Sequence, residues 1–317
     1  MTKAIVIGGL GQIGTELSAE LRKRHGADNV IVSDVRAASG ETLDGSPFEQ
    51  MDVMDKERQK QVIQKHGVDT VYQLASLLSA TGEKNPDAAF SINLQGLKNT
   101  LDVCRELGVQ KVFWPSSIAA FGPTTPLENT PQRTVLEPTT MYGMTKVAGE
   151  LLCLYYHKKY GMDIRSIRYP GLVSWKAEPG GGSTDYAVAI YYEALKSKKY
   201  ECFVSEKTVL PMMYMPDAIR GTIELMDASS ESLTVRTSYN MTAISFSAKE
   251  LADEVARHIE GFECTFKPDF RQKIADTWPK TIDDSQARKD WGWLHEYDLQ
   301  KMSEDMLANL RVKLGKK

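Results

Sequence analysis

The sequence predicts an α/β fold: a Rossmann-type, doubly wound parallel sheet with a smaller α+β substrate-binding lobe. Three observations predict it. Short β-branched runs alternate with amphipathic stretches through the first half of the chain, the pattern of a parallel sheet covered by helices on both faces. A glycine-rich turn follows the first of these runs directly, and an acid closes the second, as in a dinucleotide-binding turn. After about residue 170 the alternation loosens into mixed strand and helix signals, which marks the second lobe.

Candidate strands are 3–7, 30–34, 70–73, 111–114 and 163–167, and helical patterns fill 12–24, 55–65, 86–107 and 139–159. Asn85 before Pro86 reads as a side-chain cap with proline in the first turn, and Asp217 as the cap of a helix through 218–226. Later, Gly180-Gly181-Gly182 lies in a polar loop before a helix at 185–196. Strand patterns at 201–204, 235–239 and 264–267, and helical ones at 248–259 and 299–313, complete the chain. The expected nucleotide-binding domain is 1–172, with 213–240 returning to it; 173–212 and 241–317 form the lobe.

Composition excludes several function classes. The 317 residues are 42% hydrophobic and 26% charged, as in ordinary soluble globular proteins. A formal net charge of −3 leaves no basic footprint, so neither nucleic acid nor a membrane surface is an expected partner. Four dispersed cysteines (Cys104, Cys153, Cys202, Cys264) and five scattered histidines form no CxxC or HExxH. No metal site is expected, and the thiols read as reduced. The first strand begins almost at Met1, which leaves no room for a targeting peptide; the expected location is the cytoplasm.

The turn reads Gly8-Gly9-Leu10-Gly11-Gln12-Ile13-Gly14. Gly8, Gly11 and Gly14 suit the tight turn, the close approach of a pyrophosphate and helix–strand packing, while the helix beginning at Gln12 and Ile13 offers its N–H groups. Asp34 ends the second strand, placed to accept hydrogen bonds from the adenosine ribose hydroxyls and to repel a 2′-phosphate, which favours NAD. Arg36 is read as a solvated cation over the adenine, the alternative being a host for that phosphate. Asp52 and Val53 either line the adenine pocket or simply make a turn.

Tyr142 and Lys146 stand four apart on one helical face. A phenol near pKa 10 is a poor base at neutral pH, and a neighbouring ammonium favours its ionised form. Ser116-Ser117 follows the strand at 111–114, on the sheet edge where ligands bind in open α/β folds, and a serine there can hold a substrate oxygen against the tyrosine. Serine, tyrosine and lysine form one coherent catalytic centre behind a nucleotide site.

The whole chain resembles the extended short-chain dehydrogenase/reductase family. The resemblance rests on GGLGQIG (8–14), Asp34, LAS (74–76), PSSIAAFG (115–122), YGMTK (142–146), RYPG (168–171), YMPDAIRG (214–221) and DDSQARKDWGW (283–293). It implies further cofactor contacts from Leu74, Ala75, Ser76, Asn93, Tyr169, Pro170 and Leu172, with Tyr142 and Lys146 at the nicotinamide ribose. Within it, LLSATGEKNP (77–86), PGGGSTDYAVAIYYEAL (179–195) and LPMMYMPDA (210–218) are similar to the short-chain-type L-threonine 3-dehydrogenase branch. By register with the family's SS…YG segment the catalytic serine is Ser117 rather than Ser116. The likeness to that branch implies L-threonine held by Ser79, Ser117, Tyr142 and Thr184, with Trp278 shaping the closed site. The glycine run reads either as a passive linker or as a hinge that closes over substrate.

Read from the residues alone, Ser79 is a loop hydroxyl, Thr184 or Asp185 a helix cap, and Trp278, Trp291 and Trp293 core. Two rivals remain: a nucleotide-sugar epimerase on the same fold, and a nucleotide sensor without chemistry. Against the first, 168–171 lacks the asparagine usual in that branch; against the second, Tyr142 and Lys146 are both present. Apolar residues beyond one stripe (Val103, Leu107, Val147, Leu151, Leu152, Tyr155) predict a four-helix homodimer contact, as in relatives.

Overall fold

The computed structural model describes residues 2–38, 43–180 and 182–315. In chain order the first half holds β1 (Ala4–Ile7), α1 (Gln12–His25), β2 (Val30–Asp34), β3 (Phe48–Gln50), α2 (Lys56–His66), β4 (Thr70–Gln73), α3 (Ser79–Lys84), α4 (Pro86–Phe90), a π-helical turn (Ser91–Gln95), α5 (Gly96–Leu107), β5 (Lys111–Ser117), α6 (Met141–Tyr160) and β6 (Asp163–Tyr169). There follow β7 (Gly171–Val173), α7 (Tyr186–Ser197), β8 (Lys199–Cys202), β9 (Val209–Tyr214), α8 (Met215–Asp227), β10 (Tyr239–Asn240) and β11 (Ile244–Ser247). The chain closes with α9 (Ala248–His258), β12 (Glu263–Phe266), α10 (Phe270–Ala275), α11 (Ser285–Trp291) and α12 (Leu299–Lys313).

One compact unit comprises 1–120, 140–168 and 219–239. Its sheet runs β3-β2-β1-β4-β5-β6-β10, and the β1–β2, β1–β4, β2–β3 and β4–β5 pairs are parallel. Connections leave β1 in one direction toward β3 and from β4 in the other toward β6, so the crevice for a ligand opens where β1 meets β4. The strands read as continuous apolar runs because every residue of β1, β2 and β4 is buried. On one face Ile5, Ile7, Ile31, Val71 and Val112 pack with Leu97, Leu101 and Cys104 of α5 and Cys153 of α6. Each such side chain contributes roughly 1.5–3 kcal/mol on burial. α6 starts where Thr140 accepts the Gly143 N–H, which sets the position of the next turn and with it Tyr142 and Lys146. It lies close on β5 because Gly149 has no side chain: a Cβ there would sit 2.4 Å from Trp114.

The second unit comprises 121–139, 169–218 and 240–317. It holds a three-stranded sheet β11-β9-β7 and a pair β12-β8, with Trp293, Tyr186 and Tyr191 fully buried. Segment 121–139 lies here rather than with 1–172 as expected. The reason is a set of long-range bonds: Thr130 N–H donates to the Thr281 carbonyl (3.0 Å), Asp283 N–H to that of Thr130 (3.0 Å), and Asn240 Nδ2 to that of Thr130 (3.2 Å).

Other expectations are corrected. The helix at 86–107 is broken by the π-helical turn into α4 and α5. Pro86 does open α4, but the Asn85 amide donates to the Thr81 carbonyl instead of capping. Asp217 sits inside the first turn of α8, and its carboxylate accepts the N–H groups of Glu296 and Tyr297 (3.0 and 3.1 Å). β9 escaped notice because five of its six residues are buried and Pro211 interrupts any alternation. Val103 is fully buried, and Leu107 and Leu152 pack against the core. Leu151 (58%) and Tyr155 (52%) do stand exposed, together with Phe90 and Met144.

Candidate active site

The glycine turn folds as its spacing requires. Gly8 has φ +80°, and a Cβ on it would meet the Ala75 backbone at 2.7 Å; a Cβ on Gly14 would lie 2.5 Å from the Gly8 carbonyl. Gly8 and Gly9 N–H groups donate to the Ser33 carbonyl (2.8 and 2.9 Å), tying the turn to β2. Gly11 caps α1 without a side-chain bond, so the first N–H groups of the helix, at Gln12 and Ile13, remain for a ligand above the turn. A cavity of about 380 Å³ opens there, lined among others by Gly8, Gly11, Asp34, Arg36, Asp52, Val53, Leu74, Ala75 and Ser76. Nine of the sequence-predicted residues thus share one wall. Asp52 also makes the turn, accepting the Met54 N–H (2.9 Å).

Arg36 is solvated, its side chain 61% exposed, and is also paired with Asp34. Its Nε and Nη2 donate to the two oxygens of Asp34 (2.9 and 3.1 Å), which also accept the Arg36 and Leu10 N–H groups. Burial opposes the Asp34 charge, but the bonds from Arg36 and Leu10 outweigh it and hold the carboxyl below its ordinary range.

Asn93 stands on the π-helical turn, and its amide is spent on protein. It accepts from Ser76 Oγ (3.1 Å) and Leu77 N–H (2.8 Å), and donates to the Leu77 carbonyl (3.1 Å) and Thr145 Oγ1 (3.3 Å). The π turn aims this side chain so that one residue joins the loop after β4 to the helix of Tyr142; such turns recur at functional sites.

At the end of β5 the Ser117 hydroxyl lies near enough to the Tyr142 phenol to favour its ionised form, and Ser117 Oγ accepts the Ala119 N–H (3.2 Å). Lys146 is buried, its Nζ donating to the Pro115 carbonyl (2.7 Å) and lying 4.7 Å from the Trp114 ring centre and 5.2 Å from that of Tyr142. Burial pushes the Tyr142 phenol up to about 12, against the pull of Ser117. It pushes the Lys146 amine down to about 7, against the pull of Glu150 and then Cys153. The expected lowering of the tyrosine by the ammonium is therefore not expressed in the chain alone: the amine is directed at Pro115, and both groups favour their neutral forms.

Ser79 opens α3 and is buried. That helix leans on the start of α6, where Glu83 accepts the Met141 N–H (2.7 Å). In the second unit, Thr184 packs on Gly171, where a Cβ would lie 2.9 Å from its Cγ2, between Tyr169–Pro170 and Leu172. Gly182 N–H donates to Asp185 (2.8 Å); Gly181, the middle of the proposed hinge, lies outside the described residues. Trp278 and Trp293 are buried.

The profile of the NAD dependent epimerase/dehydratase family matches residues 4–241. The chain belongs to that family. It is 46% identical over 315 residues to an uncharacterized epimerase/dehydratase of Staphylococcus haemolyticus, covering 99% of each. It is 45% identical over 306 residues to mitochondrial L-threonine 3-dehydrogenase of Bos taurus, covering 96% of this chain and 82% of the other. The solved structure of a monomeric L-threonine 3-dehydrogenase from a metagenome superposes with TM-score 0.94 at 50% identity, covering 98% and 99%. The dinucleotide of this epimerase/dehydratase family fits the residues present: a glycine turn at which a Cβ on Gly8 or Gly14 would collide with backbone, a helix N-terminus and a buried acid at the end of β2.

Sequence reading missed Glu150, buried one turn beyond Lys146. Its signal was the spacing 142, 146, 150, which is one helical face. Among the described residues, no group of three or more His, Cys, Asp or Glu is arranged to hold a metal, and no helix is long and apolar enough to cross a membrane.

The buried Lys146 makes stability depend on pH. Its folded pKa lies below its ordinary 10.5, so the unfolded chain binds the extra proton between about 7 and 10.5. The penalty is complete below about 7 and disappears as pH rises through the unfolded value. Lys146→Met should therefore have a higher Tm than wild type at pH 6, with the gap closing toward pH ~10. Thermal melts across that range showing a constant or reversed gap would contradict this.

Proposed function

We propose that this chain oxidises the 3-hydroxyl of L-threonine to 2-amino-3-oxobutanoate, with NAD as hydride acceptor. The observation that carries the reading is Lys146 Nζ over the Tyr142 ring one turn away (5.2 Å), with Ser117 acting on the same phenol from the end of β5, in a chain 45–50% identical to L-threonine 3-dehydrogenases over nearly its whole length. With NAD bound, its nicotinamide would supply the hydride acceptor. Gly8, Gly11, Gln12, Ile13 and Gly14 hold the pyrophosphate, Asp34 the adenosine ribose, and Lys146 the second ribose. Ser117 orients the substrate oxygen and Tyr142 takes its proton, a role that needs the Lys146 cation to stabilise the phenolate. Ser79 and Thr184 take the charged ends of the amino acid; so small a substrate must be held at both for C3 to be placed. The Thr184–Gly171 contact supports keeping Thr184 beside the 169–172 stretch read as the nicotinamide border.

The four cysteines are free, consistent with work in a reducing cytoplasm. The exposed Phe90, Met144, Leu151 and Tyr155 support a homodimer through α4 and α6. Leu151→Arg should convert a dimer to monomer in light scattering; a wild type already monomeric would remove the assignment.

With NAD and a chelator present, L-threonine should give more NADH than D-threonine, L-allo-threonine or L-serine. Serine lacks one methyl, a loss of about 1–3 kcal/mol in an apolar pocket. Tyr142→Phe should lower kcat about 100-fold or more with NAD binding nearly intact. No NADH from L-threonine, alongside epimerisation of UDP-galactose, would hand the case to the epimerase reading.

NAD should be preferred over NADP at least about tenfold, or ~1.4 kcal/mol, and Asp34→Ala should narrow that ratio by freeing Arg36 for the 2′-phosphate. Equal use of both cofactors by wild type would mean that Arg36 already neutralises the discrimination.

A further inference from the structure

Three successive residues at the end of β5 dock on three successive turns of α6. Ser117 lies by Tyr142 and acts on its phenol, the Pro115 carbonyl accepts from Lys146 (2.7 Å), and Ser116 Oγ donates to Glu150 Oε1 (2.6 Å). We propose that Glu150 is a positioning residue of the catalytic centre: clamped by Ser116 and Arg168, it holds the end of β5 in register with α6 and supplies the anion facing Lys146. The inference rests on reading Ser117, Tyr142 and Lys146 as that centre.

Glu150 and Arg168 are 1% and 4% exposed. Arg168 grips the carboxylate from β6 with two bonds, Nε to Oε1 (2.8 Å) and Nη2 to Oε2 (2.6 Å), the fork geometry that makes such pairs strong. Stability alone does not explain the pair, since well-packed apolar residues of similar volume serve a core as well or better. What apolar residues cannot supply is a negative charge one turn from a buried lysine. Facing Lys146 are Tyr142, Glu150 and Cys153 of its own helix and the Trp114 ring and Pro115 carbonyl of β5, with Arg168 of β6 engaged by Glu150. Among these Glu150 carries the anionic charge that pulls Lys146 upward.

The test follows the Lys146 Cε resonance in lysine-labelled free protein, assigned by its loss in Lys146→Arg, together with kcat and KM against pH. Glu150→Gln should move the Lys146 titration down by about one unit or more, because the ammonium loses its anion. It should lower kcat about 10- to 100-fold, the scale of a small misplacement, with substrate KM changed less. Glu150→Asp should restore part of both. Should Glu150→Gln not fold, Glu150→Gln/Arg168→Met removes the guanidinium left without its carboxylate and should show the same downward shift. Ser116→Ala keeps the charge; its titration should stay in place while kcat falls several-fold. An unmoved Lys146 titration in whichever neutral variant folds overturns the proposal. If neither folds, full activity of Ser116→Ala overturns it. A wild type that forms no NADH from L-threonine sinks the substrate reading separately, because the Lys146 titration needs neither substrate nor cofactor.

Discussion

An amine buried beside the sheet's ligand edge is the constraint from which the catalytic side of this fold follows. Lys146 loses nearly all contact with water, so its charge must be met by what surrounds it: a carbonyl from Pro115, the faces of two aromatic rings and the Glu150 carboxylate. Each of these sets a further requirement. The Trp114 ring fits under α6 because residue 149 is glycine. The carboxylate is tolerable in the core because Arg168 and Ser116 saturate it.

The nucleotide side is governed by backbone. Parallel strands bring the β1 turn, the β2 terminus and the loop after β4 to one edge, and side-chain-free positions there let chain approach chain within van der Waals contact. Asn93 joins this half to the other, since its single amide spans the loop at 76–77 and Thr145 of α6. The regularity of a helix is given up at Ser91–Gln95 to place it. Groups held in departures from regular structure are the ones local propensity does not explain, and here they lie between cofactor cradle and catalytic helix.

The Asp34–Arg36 pair shows how a local rule can be modified by a neighbour. A lone carboxylate at the end of β2 repels a phosphate; one already bound by a guanidinium repels it less and must share its lone pairs with a ribose. In the proposed cofactor site the two residues would act as a unit, because each oxygen of Asp34 already accepts from Arg36.

What the sequence by itself determined are features carried by local spacing. The glycine turn, Asp34 twenty residues after it, the four-residue step from Tyr142 to Lys146 and the strand–helix alternation all follow from period and turn chemistry. Tertiary structure alone decided the rest, because those features depend on partners far apart in the chain. The 121–139 segment follows Thr281 and Asp283; Asp217 reaches across to the backbone at 296–297; Val103 turns into the core while Leu151 does not. Glu150 had the right spacing to be noticed, yet its meaning came only when β5 and β6 brought Ser116 and Arg168 to it. A buried charge has no signature in one dimension: what makes it possible is the set of groups that close around it.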